Sequence, residues 1–164
     1  MRTTALRETP DSSAGRPCDT RAVAYAVRPV DYFYASLRDD DAGAVRVLNQ
    51  LEEIGVELLA FAVVPQSASQ VQFAIVPEDP GKLTAEAARA GVPLEGPHHA
   101  LLVQGDDRLG VLASVHRRLL AANVDVFSSG GVSDGRGSFS YVVFVREDQF
   151  AAAVEALSID VELP

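Results

Sequence analysis

Apolar and polar positions alternate in two rhythms along this chain, and the rhythms change places in a fixed order. Residues 30–37 (VDYFYASL) group aromatic and β-branched side chains and run into an acidic turn, which predicts a strand. Ala44, Val45, Leu48, Leu51 and Ile54 then recur at three- and four-residue steps, placing them on one face of a helix. Gly55 follows, where a residue of positive φ is needed to stop that helix. Residues 56–64 and 71–76 read as two apolar strands joined by Gln66-Ser67-Ala68-Ser69. Asp79-Pro80 opens a second helix with a cap and a proline at its first position, and Gly91 closes it. Residues 92–94 predict a short strand before Gly96-Pro97.

The order β-α-β-β-α-β then starts again. Residues 99–104 predict a strand, and residues 109–122 a helix with Leu112, Val115 and Leu119 on one face. Residues 124–129 and 138–145 predict strands around a Gly-rich turn, residues 148–157 a helix and residues 159–163 a last strand. Asp40-Asp41-Ala42-Gly43 corresponds to Asp107-Arg108-Leu109-Gly110, and Ile54-Gly55-Val56-Glu57 to Ala122-Asn123-Val124-Asp125. Asn123 stands where Gly55 stops the first helix, and asparagine is the next-best residue for a left-handed position. The expectation is an α+β fold: two ferredoxin-like βαββαβ units in tandem, each a four-stranded antiparallel sheet with both helices on one face. Residues 1–28, rich in Arg, Ser, Thr and Pro, read as a flexible N-terminal tail with order expected near residues 22–27, residues 29–95 as the first unit and residues 96–164 as the second.

Composition narrows the functional classes. The chain has 164 residues, 48% of them apolar, enough for a real core, and a formal charge of −9 that disfavours nucleic acid. Lys82 is its one lysine, so a phosphate-loop or Schiff-base lysine would have to be that residue. Cys18, the lone cysteine, rules out an intramolecular disulfide and a cysteine zinc cage. The apolar stretches are too short for a helical membrane span, and residues 1–16 lack the apolar segment of a secretory signal, so the cytoplasm is expected.

In each unit a strand, then Asp-x-x-Gly, then an amphipathic helix ending in Gly or Asn, Val and an acid, resembles the ACT domain, a small regulatory module that senses amino acids. Asp107-Arg108-Leu109-Gly110-Val111-Leu112 through Asn123-Val124-Asp125 fits the D-x-P-G-x-L…G-x-N spacing of that family. Leu109 replaces the usual Pro there, Asn123 the Gly and Asp125 the Asn, and the first unit has Ala42, Val45 and Glu57 at the matching places. The resemblance implies a ligand at the strand-to-helix loop, and with it the candidate site residues Asp40, Gly43, Glu57, Asp107, Leu109, Gly110 and Asp125. A helix N-terminus suits an α-carboxylate, and carboxylates suit an α-ammonium. The implied protein is non-catalytic, needs no cofactor, binds a free amino acid, forms a homodimer and signals to a regulated enzyme or regulator, without nucleic acid or membrane. The competing expectation is a ligand-free interaction or dimerisation module, with the aspartates acting as ordinary helix caps.

Other motifs carry less. Asp79-Pro80-Gly81-Lys82-Leu83 copies the family spacing but is expected to be a capped helix start. Residues 130–137 lack the spacing of a phosphate loop and lie between strands, so a flexible hairpin is expected. His98-His99 has no third ligand at metal spacing, and no Ser/His/Asp set can be placed.

Overall fold

A computed structural model describes residues 25–38, 43–67 and 70–158. The expected tail up to residue 24, Asp40 and the expected last strand at 159–163 lie outside the described residues. In chain order the elements are β1 (Tyr25–Arg38), α1 (Gly43–Glu53), β2 (Leu58–Ser67), β3 (Gln70–Pro77), α2 (Pro80–Ala90), β4 (Glu95–Asp106), α3 (Val111–Ala121), β5 (Val126–Ser133), β6 (Ser138–Val145) and α4 (Phe150–Ser158). A single 3₁₀ turn, Glu147–Gln149, leads into α4.

The fold is α+β, with every described strand pair antiparallel, but the described strands do not divide into two four-stranded sheets. They make one six-stranded sheet in the order β2-β3-β1-β4-β6-β5. The reason lies in β1 and β4, which are long enough to serve both halves of the molecule. The far end of β1 pairs with β3, from Phe33 opposite Ile75 to Arg38 opposite Gln70. Among the described strands its near end pairs with β4 alone, Tyr25 opposite Gly105 and Val30 opposite Ala100. Beta-4 in turn pairs with β6 from Ala100 opposite Phe144 to Asp106 opposite Ser138. Tyr25–Arg28, expected in the tail, therefore belong to the sheet, and the expected unit boundary at 95/96 falls at the start of β4. Residues 92–94 form no strand of their own.

Pro29 is tolerated inside β1 because this stretch pairs on one side only. The β1–β4 ladder slips between Tyr32 and Tyr34, where the cis Gly96–Pro97 bond lies. At Gly96, φ is 143° and a Cβ would stand 3.0 Å from both Phe33 Cδ1 and Tyr32 O, so only glycine fits.

Alternation in the strands divides the core. One face of the sheet carries the helices. Phe33, Ala35, Phe73 and Ile75 pack under Val47, Leu51 and Leu83, and Leu101, Val103, Tyr141 and Val143 pack under Val115, Leu119, Ala153 and Leu157. The stripe that α1 buries is Val47 and Leu51, whereas Val45 and Leu48 of the expected apolar face are exposed. Alpha-3 repeats this: Val111, Val115 and Leu119 are buried and Leu112 is exposed. On the other face Val30, Tyr32, Val76, Ala100, Leu102, Val142 and Phe144 form a third buried cluster. None of the described helices packs there; a sheet curled so that its two wings approach each other keeps these side chains from water.

Helix stops follow the sequence. Gly55 and Gly91 sit at φ 64° and 69°, and Asn123 reaches φ 55° in the same role. Asp79 caps α2 by accepting from Lys82 N–H at 2.9 Å, with Pro80 at the first position. Among the described residues no helix is long and apolar enough to cross a membrane.

Candidate functional site

Beta-4 delivers Asp107 to the loop ahead of α3. The backbone N–H of Asp107 donates to Gly137 O at 2.7 Å, closing this loop against the β5–β6 hairpin. Its carboxylate accepts from Ser133 Oγ at 2.6 Å. Neither Asp107 nor Asp106 caps the helix: Asp106 takes Arg108 Nη2 at 2.9 Å, and the N-cap is Gly110, at φ 90° and without a side-chain bond. Only glycine adopts that angle without strain. The first turn of α3 thus keeps its N–H groups and its partial positive charge free of any side-chain cap.

Asp107, Val111, Leu112, Ser133, Phe139 and Tyr141 line a hollow of about 180 Å³ beside that turn. It offers donors from the helix end, an acceptor in Asp107 with lone pairs to spare, and an apolar wall. Leu109, in the loop between Asp107 and α3, stands fully exposed. Behind the wall, Tyr141 O–H donates to Ser129 Oγ at 2.7 Å and lies 2.6 Å from His116 Nε2.

Asp125 is elsewhere. It precedes β5, at the far end of α3 from Asp107; eleven helical residues rise about 16 Å. Its N–H donates to Gln149 Oε1 at 3.0 Å, while Gln149 Nε2 donates to Asn123 O at 3.0 Å. In the first half the same relation holds. Gly43 heads α1, and Glu57 follows its other end. One free amino acid cannot span the two ends of either helix. Asp107 and Asp125 are therefore not brought together within the second half of the chain.

Glu57 has its own surroundings. Glu57, Glu78, Asp79 and Lys82 line a hollow of about 160 Å³. Glu78 N–H donates to Glu57 O at 2.9 Å, and Lys82 Nζ donates to Gly55 O. A hydrogen bond shared with the Glu57 side chain, then repulsion from it, pushes the Glu78 carboxyl above its ordinary value, and Arg28 offsets part of this. The Asp79-Pro80-Gly81-Lys82 start is the capped helix expected, and it also borders this hollow.

Ser133, Gln149, Glu78 and Arg28 were not singled out by sequence reasoning. Each reaches its partner through strand pairing or chain reversal, so no local spacing marks it. Asp134, in the hairpin, accepts from Arg136 N–H at 2.7 Å and Ser138 N–H at 3.0 Å, which holds its carboxyl below the usual range. Gly130 and Gly131 lie within β5, so the turn is shorter than expected. Among the described residues no group of three or more His, Cys, Asp or Glu is placed to hold a metal ion.

No protein-family profile and no curated protein sequence matches the chain. Solved structures do. Protein BT0572 from Bacteroides thetaiotaomicron superposes with a TM-score of 0.70 at 14% identity, over 80% of this chain and 88% of that one. The ligand-free regulatory subunit of aspartate kinase from Thermus thermophilus gives 0.56 at 18% identity, over 84% and 97%. A structure of aspartokinase alpha and beta subunits gives 0.53 at 15% identity, over 83% and 96%. At these identities the likeness is one of fold.

Proposed function

Proceeding from the ACT-like fold that the chain shares with the regulatory subunit of aspartate kinase, we propose that it is a non-catalytic regulatory protein that binds a free amino acid. Two ACT-like units, sharing β1 and β4, make up the body, and the ligand sits at the start of α3. The observation that carries this reading is the uncapped N-terminus of α3 next to Asp107, in a hollow with an apolar wall. The ligand carboxylate meets the first-turn N–H groups, its ammonium meets Asp107, and its side chain lies toward Leu112 and Phe139. Gly43 and Asp40 hold the matching places in the first unit, while Glu57 and Asp125 contribute only across an interface between units of different copies.

Binding reaches the rest of the molecule through β4, which ends in the Asp107 loop and pairs along its length with β1. The output is a change in association with a second copy or with a regulated enzyme or regulator. A screen of the common amino acids by thermal shift on the full chain tests the reading. Ligand at a hundred times its dissociation constant stabilises by about 2.7 kcal/mol, a rise of several degrees for a domain of this size. No shift with any amino acid at millimolar concentration overturns it.

A second reading, a ligand-free dimerisation module, is favoured by one observation. Val45, Leu48, Leu112 and Leu120 leave apolar side chains exposed on the helices, at corresponding places in α1 and α3 for Val45 and Leu112. A dimer in solution without any amino-acid response supports that reading over the first.

A further inference from the structure

We propose that the face of the sheet opposite the described helices holds a second binding site, for a small, uncharged and largely apolar molecule. Leu59 and Ala62 of β2, Val76 of β3, Leu102 of β4 and Val142 and Phe144 of β6 line a cavity of about 320 Å³ there. Gly130 and Val132 of β5 close its opposite side, so the two outermost strands of the sheet face one another across it. That volume lies within the range of about 300–1,000 Å³ usual for ligand pockets. An adjoining hollow of about 220 Å³ shares Ala62, Ala74 and Phe144 and adds the rings of Tyr34 and Phe127.

Three features select the occupant. Among the described residues no Asp, Glu, Lys or Arg lines either space, in a chain whose formal charge is −9. An amino-acid zwitterion would lose water there without gaining a counter-charge, so the ligand of the α3 hollow is excluded. The space is kept open by a missing side chain. Gly130 pairs with Val142 and so faces the cavity, and a Cβ built on it meets no atom within 4 Å. A polar handle is present: Ser140, also in the lining, accepts from Gln104 Nε2 at 3.0 Å and keeps its own O–H to donate. A neutral molecule with one acceptor on an aromatic or short aliphatic body matches this lining. A partner helix, about 10–12 Å across with its side chains, would have to part the two wings.

Fluorescence titration of the full chain with N-phenyl-1-naphthylamine, an uncharged probe that brightens in apolar surroundings, tests the site. Saturable brightening is expected, with affinity reduced about tenfold or more in Gly130→Leu, which fills the cavity. Ala62→Leu, on the exposed outer strand β2, is expected to do the same and decides the matter alone should Gly130→Leu fail to fold. Leu109→Asn, in the loop ahead of α3, should leave the titration unchanged. Absence of saturable binding, unaltered affinity in folded cleft variants, or loss of binding in Leu109→Asn would each overturn the proposal.

Discussion

Ser133 Oγ donates a 2.6 Å hydrogen bond to Asp107 Oδ2, tying the end of β5 to the loop ahead of α3. This bond decides between two roles for Asp107. An N-cap aspartate would act through the helix alone, whereas this one acts through a residue 26 positions away. Asp107→Ala and Ser133→Ala are each expected to cost about 0.5–1.5 kcal/mol, and the double variant no more than the larger single loss. Urea denaturation of the four proteins measures the coupling; fully additive losses would return Asp107 to a purely local role.

The shared strands make a second expectation. A fragment of residues 95–164 keeps α3, α4, β5 and β6 but loses the segment of β1, Tyr25 included, that lines β4 and its core. Without it the apolar surface of Leu101 and Val103 and one edge of β4 are open to water. The fragment should show no cooperative thermal transition by circular dichroism, while the full chain melts as one unit. A cooperative melt of the isolated fragment would mean that the halves are independent domains.

Leu101 is fully buried at the centre of that shared region. Leu101→Ala should destabilise the full chain by about 2–5 kcal/mol, because the rigid strands around it cannot collapse into the space. Leu109→Ala, at a fully exposed position, should change stability by less than about 0.5 kcal/mol. Chemical denaturation distinguishes the two.

Element identity was largely legible because it depends on local pattern: the helix stops at Gly55, Gly91 and Asn123, the Asp79-Pro80 start, and β6 at Ser138–Val145 all follow from neighbouring residues. Sheet assembly was not. Residues 25–28 carry little alternation, and their place in β1 comes from pairing with residues of β4 more than seventy positions on. The faces of α1 and α3 were right at Leu51, Val115 and Leu119 and off at Val45, Leu48 and Leu112, for a related reason. Val45 and Leu48 fit a helical stripe with Leu51 as well as Val47 does, and only the position of the sheet selects Val47. At the site, the loop glycine and aspartate were found by spacing, but Asp107 and Asp125 were joined on motif alone, and α3 holds them apart.

Two carboxyl groups set opposite pH trends. The Asp134 carboxyl lies below its ordinary value because Arg136 and Ser138 N–H groups bond its charged form. The unfolded chain therefore binds the proton more readily, and the stability from Asp134 is present above the ordinary aspartate pKa and lost as pH falls through the lowered one. Asp134→Asn should flatten the acid limb of a plot of Tm against pH.

Glu78 runs the other way. Its raised pKa means that the folded state holds the proton more tightly, so its interaction with Glu57 weighs against folding at neutral pH and is relieved on acidification. Glu78→Gln should raise Tm at pH 7, with the advantage shrinking as pH falls through the ordinary glutamate range. A constant difference across that range would show that the Glu57–Glu78 interaction is not its source.

The proposed amino-acid site lies at the start of α3. Amide chemical-shift mapping of the ¹⁵N-labelled full chain, titrated with the amino acid that gives the largest thermal shift, tests it most directly. Saturable shifts are expected, concentrated at Asp107, Gly110–Ser114 and Ser133–Gly137, and abolished in Asp107→Asn with the remaining spectrum intact. Shifts confined to Ala62, Gly130 and Phe144 in the cleft, or an unchanged response in Asp107→Asn, would contradict it.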